Sequence, residues 1–345
     1  MTEERSKLQF DDNTLVPMLF GEHDQNLARL EQQLGVSLAS FGNQVTVSGP
    51  DDSREAAEQA LEALYERLKR GLAVGDAEVD AAARLARAEA EGEGGEVLAA
   101  LHGDELRLKT RKRHITPRSP RQAAFVRSLL NQELTFGIGP AGTGKTYLAV
   151  ATAVTLLLER KVDRLILSRP AVEAGERLGF LPGDMKEKVD PYLRPLYDAL
   201  HDMLPGEQVA RYISNGDIEI APLAFMRGRT LPNSFIILDE AQNTTPVQMK
   251  MFITRLGENS RMAVTGDLSQ VDLPSGAPSG LRDAADLLKG IDRIAFVQFT
   301  DADVVRHSLV TRIVQAYEAR EKTDGREVDL FDTGLAARRQ PSIPR

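Results

Sequence analysis

Apolar positions in the first part of the chain follow two different periods. Leu27, Leu30 and Leu34 recur at helix spacing, and Ala57, Leu61, Leu64 and Leu68 do so again behind Asp51 and Asp52. Side chains three and four apart share one face of a helix, so this spacing predicts amphipathic helices over residues 26–34 and 51–68. Between them, residues 36–40 and 45–48 alternate apolar with polar, as half-buried strands do, and Gly42-Asn43 supplies a hairpin turn. The short apolar run at residues 15–20 predicts an opening strand. Strand, helix, strand, strand and helix make a small α+β module over residues 1–73.

The pattern then changes. An Ala/Glu/Arg-rich stretch at residues 76–91 predicts a helix that Gly92 and Gly95 end, and a basic run completes a helical and basic linker over residues 74–117. From 118 to 320, short apolar runs at 165–167, 218–221, 235–238, 262–264 and 294–299 alternate with helical segments. Continuous apolar strands separated by helices predict an α/β core with a parallel sheet. Residues 321–345 show no such period and read as a disordered tail, in which Leu330 and Phe331 could dock on a partner.

Composition narrows the classes. The chain has 345 residues, enough for two domains, and a formal charge of -8, which argues against a nucleic-acid binder over its whole surface. Residues 107–121 nevertheless hold seven Lys or Arg and no acid, which suits a local phosphate-binding patch or a solvated linker. With no cysteine, disulfides and thiolate metal sites are excluded. The start, MTEERSKLQFDD, lacks the apolar core of a signal peptide, and the apolar stretch at 147–158 is too short to span a bilayer, so a cytoplasmic protein without a membrane role is expected. The absence of tryptophan and the 5% aromatic content argue against an extended base-stacking platform.

The chemistry centres on Gly139, Pro140, Ala141, Gly142, Thr143, Gly144, Lys145 and Thr146, between the apolar residues 134–138 and the helical run at 147–158. Strand, glycine-rich loop and helix form a phosphate-binding loop. Its backbone N–H groups can face a triphosphate at the positive end of the following helix. Lys145 supplies a cation for the β- and γ-phosphates, and the Thr146 hydroxyl is a ligand for Mg²⁺. A second apolar strand, residues 235–238, ends in Asp239 and Glu240. Asp239 is expected to hold the Mg²⁺ shell and Glu240 to orient or deprotonate a water attacking the γ-phosphate. Gln270, closing the run Thr265-Gly266-Asp267-Leu268-Ser269-Gln270, can bond that phosphate or water; the other reading of the run is a strand-to-loop turn, which Gly266-Asp267 alone would satisfy. Gln122, ahead of the loop, either reads an adenine edge with its amide or belongs to a helix start; Phe125 and Tyr147 either stack on the base or fill the core.

These ordered motifs resemble those of superfamily 1 helicases. More closely, the chain resembles the PhoH family of bacterial ATPases through Ser168-Arg169-Pro170-Ala171-Val172-Glu173-Ala174-Gly175-Glu176, Leu178-Gly179-Phe180-Leu181-Pro182-Gly183-Asp184 and Lys188-Val189-Asp190-Pro191-Tyr192-Leu193-Arg194-Pro195. The resemblance spans roughly residues 115–317. It implies a RecA-like P-loop NTPase core using ATP and Mg²⁺, RNA as a partner, and an association with an endoribonuclease. The N-terminal module resembles a KH domain, although Gly21-Glu22-His23-Asp24 lacks the second glycine of that family's G-x-x-G loop, which leaves RNA binding and protein docking both open. Helicases of this superfamily close the ATP site between two cores and this chain has room for one. A ring-like homo-oligomer, a hexamer by analogy, is therefore expected, with Arg306 or Arg293 supplying the arginine from a neighbour. Coupling of ATP hydrolysis to RNA binding or remodelling, nucleotide-gated regulation of a nuclease, and a kinase activity are the three readings. The Thr265–Gln270 pattern weighs against the last. The first runs through Arg169, residues 186–194 and the basic linker, although Arg169 could instead brace the core.

Overall fold

The computed structural model describes residues 5–90, 106–170, 185–274 and 276–304, together with Ile313. All but Ile313 lie in one compact unit, Met1–Val304. Expectations for Arg306, the segment from Ala171 to Asp184 and the tail at 321–345 fall outside the described residues.

The N-terminal module runs β1 (Arg5–Gln9), α1 (Val16–Phe20), α2 (Gln25–Leu34), β2 (Ser37–Phe41), β3 (Gln44–Ser48) and α3 (Asp51–Lys69). Its antiparallel sheet has the order β1-β3-β2, with Leu8 opposite Val45 and Leu38 opposite Val47. The apolar faces predicted for α2 and α3 are the buried ones, and Gly42 turns the hairpin at φ 61°. One expectation is corrected: residues 15–20 form the helix α1 rather than a strand. Pro17 sits at the first helical positions, where its fixed φ favours a helix start, and a short apolar run carries no period to tell the two apart. The opening strand is β1 instead, whose RSKLQ sequence offers one apolar residue and so little signal. The helix expected after residue 76 is α4 (Asp76–Ala90), and Val79, Ala82, Ala83 and Ala86 extend the module's apolar core beyond residue 73.

A two-strand hairpin, β4 (Leu108–Lys109) and β5 (His114–Ile115), leads to the core. There α5 (Pro120–Asn131), β6 (Leu134–Ile138), α6 (Lys145–Leu158), β7 (Arg164–Arg169), α7 (Met185–Met203), α8 (Gly206–Asn215), β8 (Ile218–Pro222), β9 (Ser234–Leu238), α9 (Pro246–Ile253), β10 (Arg261–Gly266), α10 (Gly280–Leu287) and β11 (Ile294–Gln298) follow. The six strands pair in the order β11-β6-β10-β9-β7-β8, every pair parallel. This is the predicted α/β architecture. Along the strands, Leu165, Leu167, Phe235, Ile237 and Ala263 face one apolar layer with α5, α6 and α7, while Ile166, Ile236, Leu238, Met262 and Val264 face another with α9 and α10. A sheet covered on both faces needs apolar residues at every central position, hence the unbroken runs.

The strand order places the site. From β6 the chain crosses to β7 on one side of its neighbour β10, and from β10 it returns to β11 on the other side of β6. Connections that leave adjacent strands in opposite directions open a crevice at their carboxyl ends, where ligands bind in such sheets. The loops after β6, β9 and β10 all end there.

Candidate functional site

The loop after β6 is shaped by glycines at positive φ. Gly139 has φ 147°, and a Cβ on it would lie 2.5 Å from the carbonyl oxygen of Phe299; Gly142 and Gly144 are left-handed at 84° and 81°. The loop enters α6 at Lys145. The Lys145 ammonium donates to the carbonyl oxygens of Gly139 (2.6 Å) and Pro140 (2.7 Å) and to Thr143 Oγ1 (3.2 Å), so its cation lies within the loop. Asp267 Oδ2 accepts from the Ala141 N–H at 3.1 Å, tying the loop after β10 to the phosphate loop.

Beside it, the Thr146 hydroxyl donates to Asp239 Oδ1 at 2.6 Å, and the Thr265 hydroxyl to the same oxygen at 2.8 Å. The expected Mg²⁺ ligands are thus neighbours, brought together from α6 and the end of β9. A buried carboxylate and a hydroxyl sharing one point are hard oxygen donors of the kind Mg²⁺ takes, with phosphates and waters completing its shell.

Glu240 follows in a left-handed conformation, φ 51° and ψ 39°, which costs roughly 1–2 kcal/mol for a residue with a side chain. Its Oε1 accepts from Arg169 at 2.8 Å and its Oε2 from Gln242 Nε2 at 2.6 Å. Gln242 also donates to the Gln270 carbonyl (3.1 Å) and accepts from the Asp267 N–H (3.0 Å). Lys145, Thr146, Asp239, Glu240 and Gln270 line one open cleft, together with Ala141, Gly142 and Gly144 of the loop.

The PhoH-like protein family model matches residues 114–318, covering this core and every residue of the cleft. The chain belongs to the PhoH family. It is 47% identical to the PhoH-like protein of Bacillus subtilis over 312 residues, 90% of this chain and 96% of that one. It is 50% identical to the PhoH-like protein of Mycobacterium tuberculosis H37Rv over 309 residues, 89% of this chain and 86% of that one. Protein PhoH of Escherichia coli K12 shares 46% identity over 206 residues, 59% of this chain and 58% of that one. At the coarse level this is a P-loop NTPase-like family, in agreement with the loop and the parallel sheet.

Within this PhoH-family core, other expected residues have definite places. Gln122 is buried, 4% exposed; its Nε2 donates to the Thr143 carbonyl at 3.0 Å and its Oε1 accepts from the Arg118 N–H at 2.7 Å. It braces the phosphate loop, and each amide atom keeps one further bonding capacity. Phe125 is fully buried against Phe299, ring centroids 5.4 Å apart, beneath Gly137, where an added Cβ would lie 2.7 Å from its ring. It is a core residue and not a stacking face, a correction to one of the two readings of that position. Tyr147 lines the cleft, and its hydroxyl donates to Asp202 at 2.6 Å; burial, then that bond, push its pKa up to about 12, so the phenol stays neutral at physiological pH. Arg293 pairs with Glu133 at 2.5 Å, where both precede their strands, at the sheet edge opposite the phosphate loop.

The sequence reading missed the ties between loops. Asp267 was part of a turn signal, yet it bonds Ala141, 126 residues away, and its second oxygen accepts from the Ser269 N–H and hydroxyl. Arg169, expected to contact RNA or to brace the core, also bonds Glu240, 71 residues away. No local signal announces either contact, since both depend on strand order. The basic run is also partly committed: Lys112 bonds the carbonyls of His201 and Met203 at the carboxyl end of α7, and Arg113 pairs with Asp202 at 2.6 Å. Cations at a helix carboxyl end are favoured by its dipole.

Proposed function

We propose that this PhoH-family chain binds ATP with Mg²⁺ and hydrolyses it to ADP and phosphate, and that hydrolysis is coupled to RNA binding or remodelling. One observation carries the reading: Lys145, Thr146, Asp239, Glu240 and Gln270, drawn from three separate loops, converge on one cleft at the carboxyl edge of the sheet. Backbone N–H groups of the loop and Lys145 hold the phosphates; Thr146 and Asp239 would hold Mg²⁺, which would supply positive charge to the transferring phosphoryl group. Glu240 takes the proton as a water oxygen bonds to the γ-phosphorus and the bond to the bridging oxygen breaks. Gln270 bonds the γ-phosphate or the water.

RNA coupling is tested by the ATPase rate with and without single-stranded RNA at several salt concentrations. Stimulation that fades as salt rises is expected, because phosphate contacts release counterions. No stimulation at low salt would favour a second reading, a nucleotide-gated regulator of an endoribonuclease. The ties of Lys112 and Arg113 to α7, of Arg118 to Glu78 and of Arg121 to Asp303 lend that reading support, since they commit four of the seven basic residues to the fold.

We infer a homo-oligomer, hexameric by analogy, in which a neighbour's arginine completes the cleft. Turnover per subunit should then fall on dilution through the dissociation range. A rate independent of concentration there removes the shared site.

A further inference from the structure

We propose that Arg169 is a latch on Glu240, released when a phosphodiester strand takes up its guanidinium. The proposal rests on the hydrolysis reading above and deepens it by naming the residue through which a nucleic-acid ligand reaches the reacting water.

Arg169 ends β7, beside β9, whose carboxyl end carries Asp239 and Glu240. One terminal nitrogen donates to Glu240 Oε1 at 2.8 Å and the other to the Tyr192 carbonyl on α7 at 3.0 Å. A single guanidinium thereby joins the carboxylate that would receive the proton to a helix outside the nucleotide cleft. The other carboxylate oxygen is held by Gln242, itself bonded to Gln270 and Asp267 on the loop after β10. Glu240 is thus fixed from both sides, and the left-handed backbone beneath it persists because the surroundings over-determine it. With Oε1 committed to Arg169, an attacking water must compete with a charged donor for that oxygen.

Two features point to a phosphodiester as the releasing ligand. Arg169 does not line the nucleotide cleft, although Glu240 does, so a second ligand can reach the guanidinium with ATP in place. Its side chain is one-fifth exposed, and a guanidinium fork suits the paired oxygens of a phosphate better than one oxygen of a carboxylate. Exchange of partners frees Glu240 Oε1 to face the water, while Gln242 keeps the carboxylate in the cleft.

The test compares wild type, Arg169→Ala and Arg169→Lys for kcat and KM with ATP, with and without a single-stranded oligouridylate RNA. Removing a partly exposed ion pair should raise basal kcat of Arg169→Ala about fivefold. KM should stay within about twofold, since the nucleotide contacts are untouched. Stimulation by RNA should vanish in that variant. Arg169→Lys keeps a charge for Glu240 and should show a smaller basal rise with some stimulation left. A bracing role alone would instead lower kcat and thermal stability together in both variants. Basal kcat of Arg169→Ala at or below wild type, with wild type turning over, overturns the latch alone. ATP binding by wild type with no phosphate release overturns the hydrolysis reading and the latch with it. A faster Arg169→Ala beside a wild type indifferent to RNA overturns the strand as the releasing ligand.

Discussion

Glu240→Gln should bind ATP about as tightly as wild type and hydrolyse it roughly 10³-fold more slowly, the usual contribution of a placed general base. The geometry separates the two properties. Glu240 is held by Arg169 at one oxygen and by Gln242 at the other. The amide keeps the shape of the carboxylate and one acceptor, but it turns an N–H₂ toward either Arg169 or Gln242. That clash is modest because the Glu240 side chain is one-third exposed and water can step in. What disappears is the ability to accept a proton. Equilibrium titration with a fluorescent ATP analogue and single-turnover phosphate release measure the two separately. Hydrolysis at the wild-type rate would show the base assignment to be wrong, and lost binding would mean that the carboxylate supports the loop itself.

Lys145→Ala is expected to weaken ATP binding by about a hundredfold, the equivalent of about 3 kcal/mol for two charge-assisted bonds. The ammonium now meets the carbonyls of Gly139 and Pro140 and the Thr143 hydroxyl. Without it those oxygens face an arriving polyphosphate with no cation between. Glycines at left-handed positions set the loop's path, so the empty variant should keep its fold and its Tm should move little. Isothermal titration with ATP and ADP beside a thermal melt checks both statements. A large fall in Tm would assign Lys145 to holding the loop together.

The two variants draw on residues visible in the sequence for different reasons. The phosphate loop is local: strand, glycines, Lys145 and Thr146 are contiguous, and the loop's function follows from their order. All five apolar runs marked as core strands became strands, because a sheet buried on both faces leaves a continuous apolar trace. The module's edge strand β1 left no such trace, since its burial alternates between exposed and half-buried and its pairing is supplied by β3. Residues 15–20 misled because six residues are too few for a helical period, and only Pro17 hinted at a helix start. In the site, Asp239 and Glu240 were legible from their strand, whereas the partner of Glu240 lies 71 residues away on β7. That contact requires β7 to lie beside β9, a fact of topology that no window along the chain contains. Phe125 was undecided for the same reason: Gly137, twelve positions on in the next strand, makes room for its ring.

Position 122 admits few alternatives. Its side chain must give a hydrogen to the Thr143 carbonyl and take one from the Arg118 N–H, within a space that is almost closed to water. Glutamate has the right shape but no hydrogen to give, so it would press a carboxylate oxygen against a carbonyl oxygen. Lysine gives but cannot take, and methionine fills the volume while leaving both backbone groups stranded at about 1–3 kcal/mol each. Only an amide of this length meets both demands. Glutamine would be required here by the joint between loop and helix even in a protein that never distinguished one base from another.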